Sequence, residues 1–319
     1  MGGDGGPAVI VDGAVEAAEG GIDVVLYGRD LDGRGLDVVE AGQVIGMHEK
    51  PADAVRAKPR SSLVAANRAV GDGAADAVVS AGNTGAMLAA GLVHVRRLPG
   101  VLRPAIAVVI PSRFGASVLI DAGANADARP EHLLQFAHMG SVFAADVLGR
   151  PNPVVRLLSI GEEPEKGNQL TREAHELLAA DPGVNFEGNT EARQLLRFAA
   201  DVVVCDGFTG NVALKLLEGT IAEVLDALRT EVGATLQGKL GGLLIRRGAR
   251  GLRARLDPET HGGAYLLGLR GLSVIAHGNS SAKAIANAIR LAARGVEHGV
   301  VDRLARRVPD RVASARPAS

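Results

Sequence analysis

The stretch DVVVCDGFTGN, residues 201–211, decides the fold class. Its run Val202–Val204 is β-branched throughout, which favours a strand buried on both faces. The strand runs into a loop that contains glycine and asparagine, and an Ala/Leu-rich segment of helical period begins at Asn211. A strand, a short loop and a helix in succession are typical of an α/β sheet, in which the loop lies at the carboxyl end of its strand.

The same succession recurs along the chain. The predicted strands are Ile22–Gly28, Asp76–Ser80, Ala105–Ile110, Ser117–Asp121, Val154–Ile160, Asp201–Cys205 and Ser273–Ala276. The predicted helices are Ala8–Glu19, Ser61–Val70, Gly85–Val95, Glu131–Leu148, Thr171–Ala179, Asn211–Leu228 and Ala282–Val296. Because buried strands alternate with helices, we predict a doubly wound α/β fold with a mainly parallel sheet and right-handed crossovers.

Composition excludes several classes of protein. The 319 residues are 47% hydrophobic but only 3% aromatic, so the core must be built from Ala, Val, Leu and Ile. A net charge of −1 gives no general attraction to nucleic acid. The single cysteine, Cys205, excludes a disulfide framework and Cys-rich metal sites. No apolar stretch approaches the roughly 20 residues that span a bilayer, and no signal peptide is evident, so we expect a cytoplasmic protein.

The chain ends and one internal segment depart from this pattern. Residues 1–7 form a Gly-rich loop that opens a helix without a strand before it, so we expect that a first strand is missing. Residues 232–256 hold six basic residues and no acidic residue, whereas the rest of the chain sums to −7. We predict a single catalytic domain over 1–298 and a basic C-terminal helix or tail over 299–319.

Four loops of one kind follow predicted strands. They are 80–85 (SAGNTG), 121–127 (DAGANAD), 205–211 (CDGFTGN) and 277–281 (HGNSS). Glycine lets the backbone approach a ligand, and Asn, Thr, Ser and helix N-termini offer hydrogen-bond donors. If the loops meet at one edge of the sheet, they form a pocket of donors for a phosphate or an oxyanion. Helix capping and turn formation explain each loop taken singly.

Other catalytic motifs are absent from the sequence. There is no G-x-G-x-x-G with a downstream acid, no P-loop and no G-x-S-x-G, and the eight histidines have no metal-ligand spacing. Cys205 ends a strand, and a buried cysteine is a small hydrophobe unless its pKa is lowered. We therefore expect no nucleophilic role for Cys205 and place the chemistry in the loop that follows it.

Seven longer motifs occur in a fixed order. They are MGGD at 1–4, VIGMHEKPADAVRAKPRSSL at 44–63, DAVVSAGNTGAMLAAG at 76–91, DAGANADARPEHLLQFA at 121–137, IGEEPEKGN at 160–168, ADVVVCDGFTGNVALKLLEG at 200–219 and AHGNSSAKAI at 276–285. Together they resemble the bacterial phosphate acyltransferases of phospholipid synthesis, the acyl-ACP:phosphate acyltransferase (PlsX) family. The resemblance runs from Met1 to about Val296.

The resemblance implies an activity and partners. It implies transfer of a fatty acyl group from acyl carrier protein to inorganic phosphate, without a cofactor or metal, to give acyl phosphate for a downstream glycerol-3-phosphate acyltransferase. It also implies a homodimer of a three-layer α/β/α sandwich, similar to isocitrate and isopropylmalate dehydrogenases. A protruding helical hairpin at 220–256 would make peripheral contact with the membrane.

Because phosphate is itself a nucleophile, such an enzyme needs donors rather than a protein nucleophile. The catalytic candidates are Asn83, Thr209, Asn211 and His277, the last as an oxyanion donor or as the acid for the leaving thiolate. The phosphate- or substrate-binding candidates are Gly82, Thr84, Asn125, Lys166, Asn168, Gly210, Lys215, Asn279 and Ser280. The candidates that orient these donors are Asp4, Asp121, Glu162 and Asp206.

The basic segment contains the candidate membrane contact. We predict an apolar tip between two helical arms, flanked by basic residues that suit an anionic leaflet. Its residues are Leu240, Leu243, Leu244, Ile245, Arg246 and Arg247. A solvated basic face, or a dock for the acidic carrier protein, fits the same residues.

Two other functions remain compatible with the loops. One is a phosphotransacetylase that acts on short acyl-CoA with the same phosphate chemistry. The other is a nucleotide- or anion-binding regulatory module without turnover.

Overall fold

The computed structural model describes residues 3–112, 115–256 and 262–314. The helices are α1 Gly6–Ala18, α2 Pro51–Ala57, α3 Ser62–Gly71, α4 Thr84–Ala90, α5 Pro130–Val147, α6 Gln169–Ala180, α7 Gly207–Gly233, α8 Leu236–Leu256, α9 Ala282–Glu297 and α10 Val300–Ser314. The strands are β1 Val25–Gly28, β2 Asp37–Glu40, β3 Ala77–Ser80, β4 Ala105–Pro111, β5 Ala116–Ile120, β6 Val155–Ser159, β7 Phe186–Glu191, β8 Val202–Val204, β9 Ala264–Leu267 and β10 Leu272–Ile275. A π-helical turn over Gly91–Val95 follows α4, and a 3-10 helix covers Ala192–Arg197.

The central sheet is mixed, so the prediction of a mainly parallel sheet is wrong at its centre. The strand order is β3-β10-β9-β4-β5-β8-β6-β7, and β1 pairs with β2 in a separate small sheet. β3 is parallel to β10, and β5, β8, β6 and β7 are parallel to one another, but β9 and β4 pair antiparallel with their neighbours. The β4–β5 and β9–β10 connections are too short for crossovers, and short connections return the chain antiparallel.

Helices cover both faces of this sheet. Successive strand residues alternate between two core layers: Ile120 and Val204 pack with α5 on one face, whereas Leu119 and Val203 pack with Leu214 of α7 on the other. Helices α6, α9 and α10 complete the first face, and α3 and α4 the second. The molecule is therefore a layered α/β structure in which α7 lies on the sheet face opposite α5.

All seven predicted strands are present, but three further strands were missed. In β2 every residue is exposed, so its side chains show no burial pattern. β7 has the polar sequence FEGNTE and an irregular register beside β6. β9 is only four residues long and merges with a Gly- and Leu-rich run. Each of these strands is defined by its partner in the sheet rather than by its own hydrophobic period.

Helix α10 contributes buried side chains to the core. Val300, Leu304 and Val308 are buried in the same layer as α5, and the Arg303 guanidinium lies 2.7 Å from the Asp146 carboxylate. Its apolar residues repeat every four positions, which places them on one helical face. The boundary between 1–298 and 299–319 stays a prediction, and 315–319 lie outside the described residues.

Helices α7 and α8 form a helical hairpin whose connection is residues 234–235. The predicted apolar tip is therefore misplaced: Leu240, Leu243, Leu244 and Ile245 lie in the first half of α8, although all four are exposed as expected. None of the helices that the structure describes is long and apolar enough to cross a membrane.

Candidate active site

The four predicted loops do not meet at one edge of the sheet. β5 and β8 run antiparallel to β3 and β10, since three antiparallel pairings separate the two groups. Their carboxyl ends therefore lie at opposite edges. Loops 121–127 and 205–211 form one group, which we name the Asp121 cluster. Loops 80–85 and 277–281 form another, which we name the Asn83 cluster.

Asp121 organises the first of these clusters. Its carboxylate is fully buried, and Oδ1 accepts hydrogen bonds from the backbone N–H groups of Ile106, Gly123 and Ala124 at 2.9–3.1 Å. Oδ2 accepts from the Asn125 backbone N–H at 2.7 Å and from its side-chain amide at 2.9 Å. Five donors saturate the carboxylate, so Asp121 fixes the loop rather than contacting a ligand. The same bonds occupy Asn125, which was predicted to bind substrate.

The start of α7 is fixed against this loop. Asp206 caps the helix: its carboxylate accepts the Thr209 N–H at 2.9 Å and the Thr209 hydroxyl at 2.7 Å. Gly207 N–H donates to the Asn125 carbonyl at 2.8 Å. A side chain at Gly210 would collide with the Asp121 carbonyl, so glycine permits the close approach. Because the Thr209 hydroxyl donates to Asp206, it is not the free donor that was predicted.

At this edge, the described part of the structure gives no hydrogen-bond or ion-pair partner to the side chains of Asn211, Lys215 and Lys166. The Asn211 amide lies over Gly123, whose added Cβ would be 3.5 Å from Asn211 Oδ1. Lys215 is one turn further along the same face of α7. Lys166 is exposed in the loop after β6, and β6 ends at this edge because it is parallel to β8. One amide and two ammonium groups suit a phosphate.

The other candidates near Lys166 have structural partners. The Asn168 Oδ1 caps α6, accepting the backbone N–H and the hydroxyl of Thr171, each at 2.9 Å. The exposed Glu162 carboxylate accepts a hydrogen bond from the Gln194 amide. Both residues therefore shape the loop that carries Lys166.

Asn83 also holds the backbone instead of facing a ligand. Its Nδ2 lies 3.0 Å from the Met47 carbonyl and 3.3 Å from those of Gly46 and Glu49, and its Oδ1 accepts the Ala86 N–H at 3.0 Å. The turn at 46–49 belongs to the quoted 44–63 motif, but sequence reasoning gave it no role. The Gly46 N–H and then the Lys58 ammonium lower the pKa of the Glu49 carboxyl.

The rest of the Asn83 cluster is rich in carboxylates. The Asp4 N–H donates to the Gly278 carbonyl at 2.6 Å, and the Asp4 carboxylate lies beside Gly278. His277 Nε2 lies 3.3 Å from Oε1 of Glu218, a residue of α7 that sequence reasoning missed. The Asp121 cluster also contains two carboxylates, but Lys166 and Lys215 lie at its edge, so it suits a phosphate better than this end does.

The remaining candidates at this end are exposed or lie in turns. The Gly82 N–H donates to the Ser80 hydroxyl at 3.1 Å, and the Ser280 N–H donates to the His277 carbonyl at 3.1 Å. Thr84 and Asn279 are exposed. Met1 and Gly2 of the MGGD motif lie outside the described residues.

Helix α7 joins the two clusters. Asn211, Lys215 and Glu218 occupy positions i, i+4 and i+7 on one helical face, which spans about 10 Å at 1.5 Å per residue. Asn211 lies at the Asp121 cluster and Glu218 contacts His277 of the Asn83 cluster. The candidate site is therefore the face of α7 between two loop clusters, not a ring of four loops.

Cys205 is a buried thiol. Its residue is 2% exposed, and burial, followed by the charges of Asp121 and Asp206, raises the pKa of the thiol well above its usual value. Its Sγ lies 3.5 Å from the Asp121 carbonyl. His277 lies at the opposite edge of the sheet, so it does not activate this thiol. Among the described residues no group of three His, Cys, Asp or Glu is placed to hold a metal.

Residues 1–303 match the family described as fatty acid synthesis protein. A phosphate acyltransferase from Heliobacterium modesticaldum is 45% identical over 98% of this chain and 97% of that protein. The solved structure of a phosphotransacetylase from Streptococcus pyogenes superposes with a TM-score of 0.62 at 17% identity over 92% of both chains. A 4-hydroxythreonine-4-phosphate dehydrogenase from Klebsiella pneumoniae gives 0.51 at 15% identity over 89% of this chain and 92% of that one. These two structures show a shared fold.

Proposed function

The chain belongs to the fatty acid synthesis protein family, whose curated relatives are named phosphate acyltransferase, and we propose that it transfers a fatty acyl group from acyl carrier protein to inorganic phosphate. The product is an acyl phosphate for phospholipid synthesis, consumed by a glycerol-3-phosphate acyltransferase. The observation that carries the proposal is near-full-length identity of 45% to a phosphate acyltransferase. Phosphate and an acyl donor are the substrates that this activity requires.

The reaction needs an oriented anion and a stabilised oxyanion. A phosphate oxygen attacks the thioester carbonyl carbon, a C–O bond forms, and the carbonyl oxygen becomes an oxyanion. The C–S bond then breaks, the carbonyl re-forms and the thiolate leaves with a proton. Phosphate is ionised near neutral pH, so no thiol nucleophile is required, in keeping with the buried Cys205.

The Asp121 cluster supplies groups of the right kind. We propose that Lys166 and Lys215 neutralise the negative charge of the phosphate. The Asn211 amide donates a hydrogen bond to the phosphate or to the oxyanion. Asp121 accepts five hydrogen bonds and Asp206 accepts two from Thr209, so both carboxylates position this cluster, and the two ammonium groups offset their charge. His277 and Glu218 lie at the other end of the α7 face, about 10 Å along the helix from Asn211, so we assign His277 as the proton donor for a thiolate that leaves toward that end.

Two further properties belong to the proposal. Peripheral membrane contact through α8 is supported by exposed Leu240 and Leu244 beside exposed Arg246 and Arg247; the side chains of Arg253 and Arg255 are outside the described residues. A homodimer is supported by five large exposed apolar residues on α7, spaced four or eight positions apart. Those residues are Phe208, Val212, Leu216, Val224 and Leu228. The relation of the fold to isocitrate and isopropylmalate dehydrogenases stays a prediction.

The test is phosphate-dependent release of thiol from long-chain acyl-ACP, with the acyl phosphate trapped by hydroxylamine. We expect both products only when phosphate is present. Faster turnover of acetyl-CoA than of acyl-ACP would replace the proposal with a phosphotransacetylase. Phosphate binding without trapped product would favour the regulatory module.

A further inference from the structure

Five exposed arginines gather beside the Asp121 cluster, outside the residues assigned to the reaction. We name them the arginine patch: Arg96, Arg97, Arg103, Arg129 and Arg270. Three come from the segment between the π-helical turn and β4, one from the loop before α5, and one from the β9–β10 hairpin. Within the ranges that the structure describes, none of the five has an ion-pair partner.

Backbone contacts bring these segments together. Arg97 pairs with Leu269 in an isolated β-bridge, the Arg270 N–H donates to the Arg96 carbonyl at 2.9 Å, and the Arg270 Nε donates to the Arg97 carbonyl at 3.2 Å. On the other side, the Gln135 amide of α5 bonds the carbonyl of Gly100 at 2.9 Å. These bonds tie the segment that carries Arg96, Arg97 and Arg103 to the β9–β10 hairpin and to α5.

Arg103 and Arg129 both lie close to His132. Burial lowers the pKa of His132 first, and the positive charges of Arg103 and then Arg129 lower it further, against the charge of Glu131. Both guanidinium groups are thus close enough to repel the imidazolium. Arg103 also lines an open depression with Arg97, Leu92 and Leu102. The surface combines positive charge with exposed apolar side chains.

The patch is connected directly to the candidate site. Pro104, the neighbour of Arg103, accepts a hydrogen bond from the Asn125 side-chain amide at 2.8 Å. Ile106, two residues later, donates to Asp121 at 2.9 Å. Arg129 ends the segment that starts at Asp121 and leads into α5. A molecule seated on the patch would therefore lie next to the loop that carries the chemistry.

The geometry points to an acidic protein as the occupant, and we propose that the arginine patch docks the acidic carrier that delivers the acyl thioester. This inference rests on the proposed function. Five guanidinium groups drawn from three segments cover more surface than one phosphate group needs. Arginine is enriched at protein interfaces, and charge complementarity steers the encounter with an acidic partner. The basic face of α8 is a competing dock with no comparable connection to the Asp121 cluster.

The experiment measures carrier binding first and turnover second. The dissociation constant of holo acyl carrier protein is determined for the wild type and for Arg103→Glu/Arg129→Glu. We expect the double reversal to weaken binding by roughly 10-fold or more, with a reduced dependence on salt. Arg103→Lys/Arg129→Lys retains the charge and should bind within a few-fold of wild type.

Turnover separates docking from a structural defect. With a long-chain acyl thioester of a short neutral thiol, which has no carrier to dock, Arg103→Glu/Arg129→Glu should keep wild-type kcat/KM. With acyl-ACP its KM should rise while kcat stays unchanged. Equal losses with both substrates would mean that the change distorts the site, and would overturn the inference.

The remaining outcomes are also decisive. The inference is overturned in favour of another dock if Arg103→Glu/Arg129→Glu binds the carrier as tightly as the wild type does. It is also overturned if only Arg246→Glu/Arg247→Glu loses affinity for the carrier. No carrier binding by the wild type also overturns it. Carrier binding that depends on the patch, with no phosphate-dependent product from any thioester, would instead refute the proposed function and leave the docking surface standing.

Discussion

Asn211 is the side chain whose position argues most directly for contact with substrate. It is half-buried over Gly123, and it has no hydrogen-bond partner within the described ranges, whereas the neighbouring Asn125 and Thr209 are occupied. We expect Asn211→Ala to lower kcat by roughly 10²–10³-fold, the scale of one lost oxyanion donor. Steady-state kinetics with acyl-ACP and phosphate measure this effect.

Asn168→Ala is the matched control, because the Asn168 oxygen caps α6. That change should lower the free energy of unfolding by about 1 kcal/mol and leave kcat within a few-fold of wild type. The assignment of Asn211 fails if the two variants lose similar amounts of activity.

For Cys205, unlike Asn211, we predict that substitution has little effect on turnover. Its thiol is buried and its pKa is raised, so it stays protonated at neutral pH and is no nucleophile. We expect Cys205→Ala to keep kcat within about threefold of wild type, with a modest loss of stability from the small cavity. Alkylation of the native protein by iodoacetamide should be slow. A loss of turnover above a hundredfold in a folded variant would return the chemistry to this residue.

The position of helix α7 depends on the close contact between Gly210 and the loop that follows β5. A methyl group at Gly210 would overlap the Asp121 carbonyl, so the helix must move away from the Asp121 cluster. We expect Gly210→Ala to lower the free energy of unfolding by about 1–3 kcal/mol and to reduce kcat/KM for phosphate, because Asn211 and Lys215 move with the helix. Denaturation in urea and steady-state kinetics measure the two effects.

Gly219→Ala on the same helix is the comparison. Its added methyl would meet nothing within 4 Å, and alanine favours the helix by up to about 1 kcal/mol. Stability should therefore rise or stay constant in this variant. The same loss in both variants would mean that the close contact between Gly210 and the Asp121 carbonyl does not explain the result.

Helix α8 is the element assigned to the membrane. Leu243 and Leu244 are 63% and 85% exposed, and the segment 232–256 contains no acidic residue. Basic residues near an anionic leaflet contribute about 1 kcal/mol each. We expect the wild type to sediment with anionic liposomes in a salt-sensitive manner and Leu243→Glu/Leu244→Glu to remain in solution, with turnover of soluble acyl-ACP retained. Neutral liposomes serve as the control, and equal sedimentation of both proteins would remove α8 from the membrane.

At the scale of the whole molecule, the sequence predicted the buried strands and the family, but not the edges at which the loops meet. Seven Val- and Ile-rich strands were located from their composition. The direction of β5 was missed, although the short connection between the predicted strands Ala105–Ile110 and Ser117–Asp121 leaves no room for a crossover and so indicates an antiparallel pair. Because β5 runs antiparallel to β3, Asn83 and Asp121 lie at opposite edges of the sheet. The sequence does not distinguish the amide of Asn83 from that of Asn211. In the structure, the Asn83 amide donates to a carbonyl of the turn at 46–49, so it is not available to a ligand.

Tyr265 tests the packing of the sheet against one helical layer, because it lies where β9 meets α5 and α9. Its side chain is buried in β9, its ring packs against Phe143 of α5 with centroids 4.9 Å apart, and its hydroxyl donates to the Leu291 carbonyl of α9 at 2.5 Å. Burial raises the pKa of Tyr265 to about 12, against the opposing charge of Arg294. In the unfolded chain the phenol ionises near pH 10.

The pKa of Tyr265 is higher in the folded state, so its contribution is complete below about pH 10 and is lost as the pH rises to about 12. By linkage the loss is about 2–3 kcal/mol. Urea denaturation at pH 8, 10 and 11.5 should show a steeper decline of unfolding free energy for the wild type than for Tyr265→Phe. At pH 8 the variant should be less stable by about 1 kcal/mol, since the Leu291 carbonyl loses its donor. The wild type and Tyr265→Phe differ only at this titrating group. If the unfolding free energies of the two proteins depend on pH in parallel, folding does not raise the pKa of this phenol.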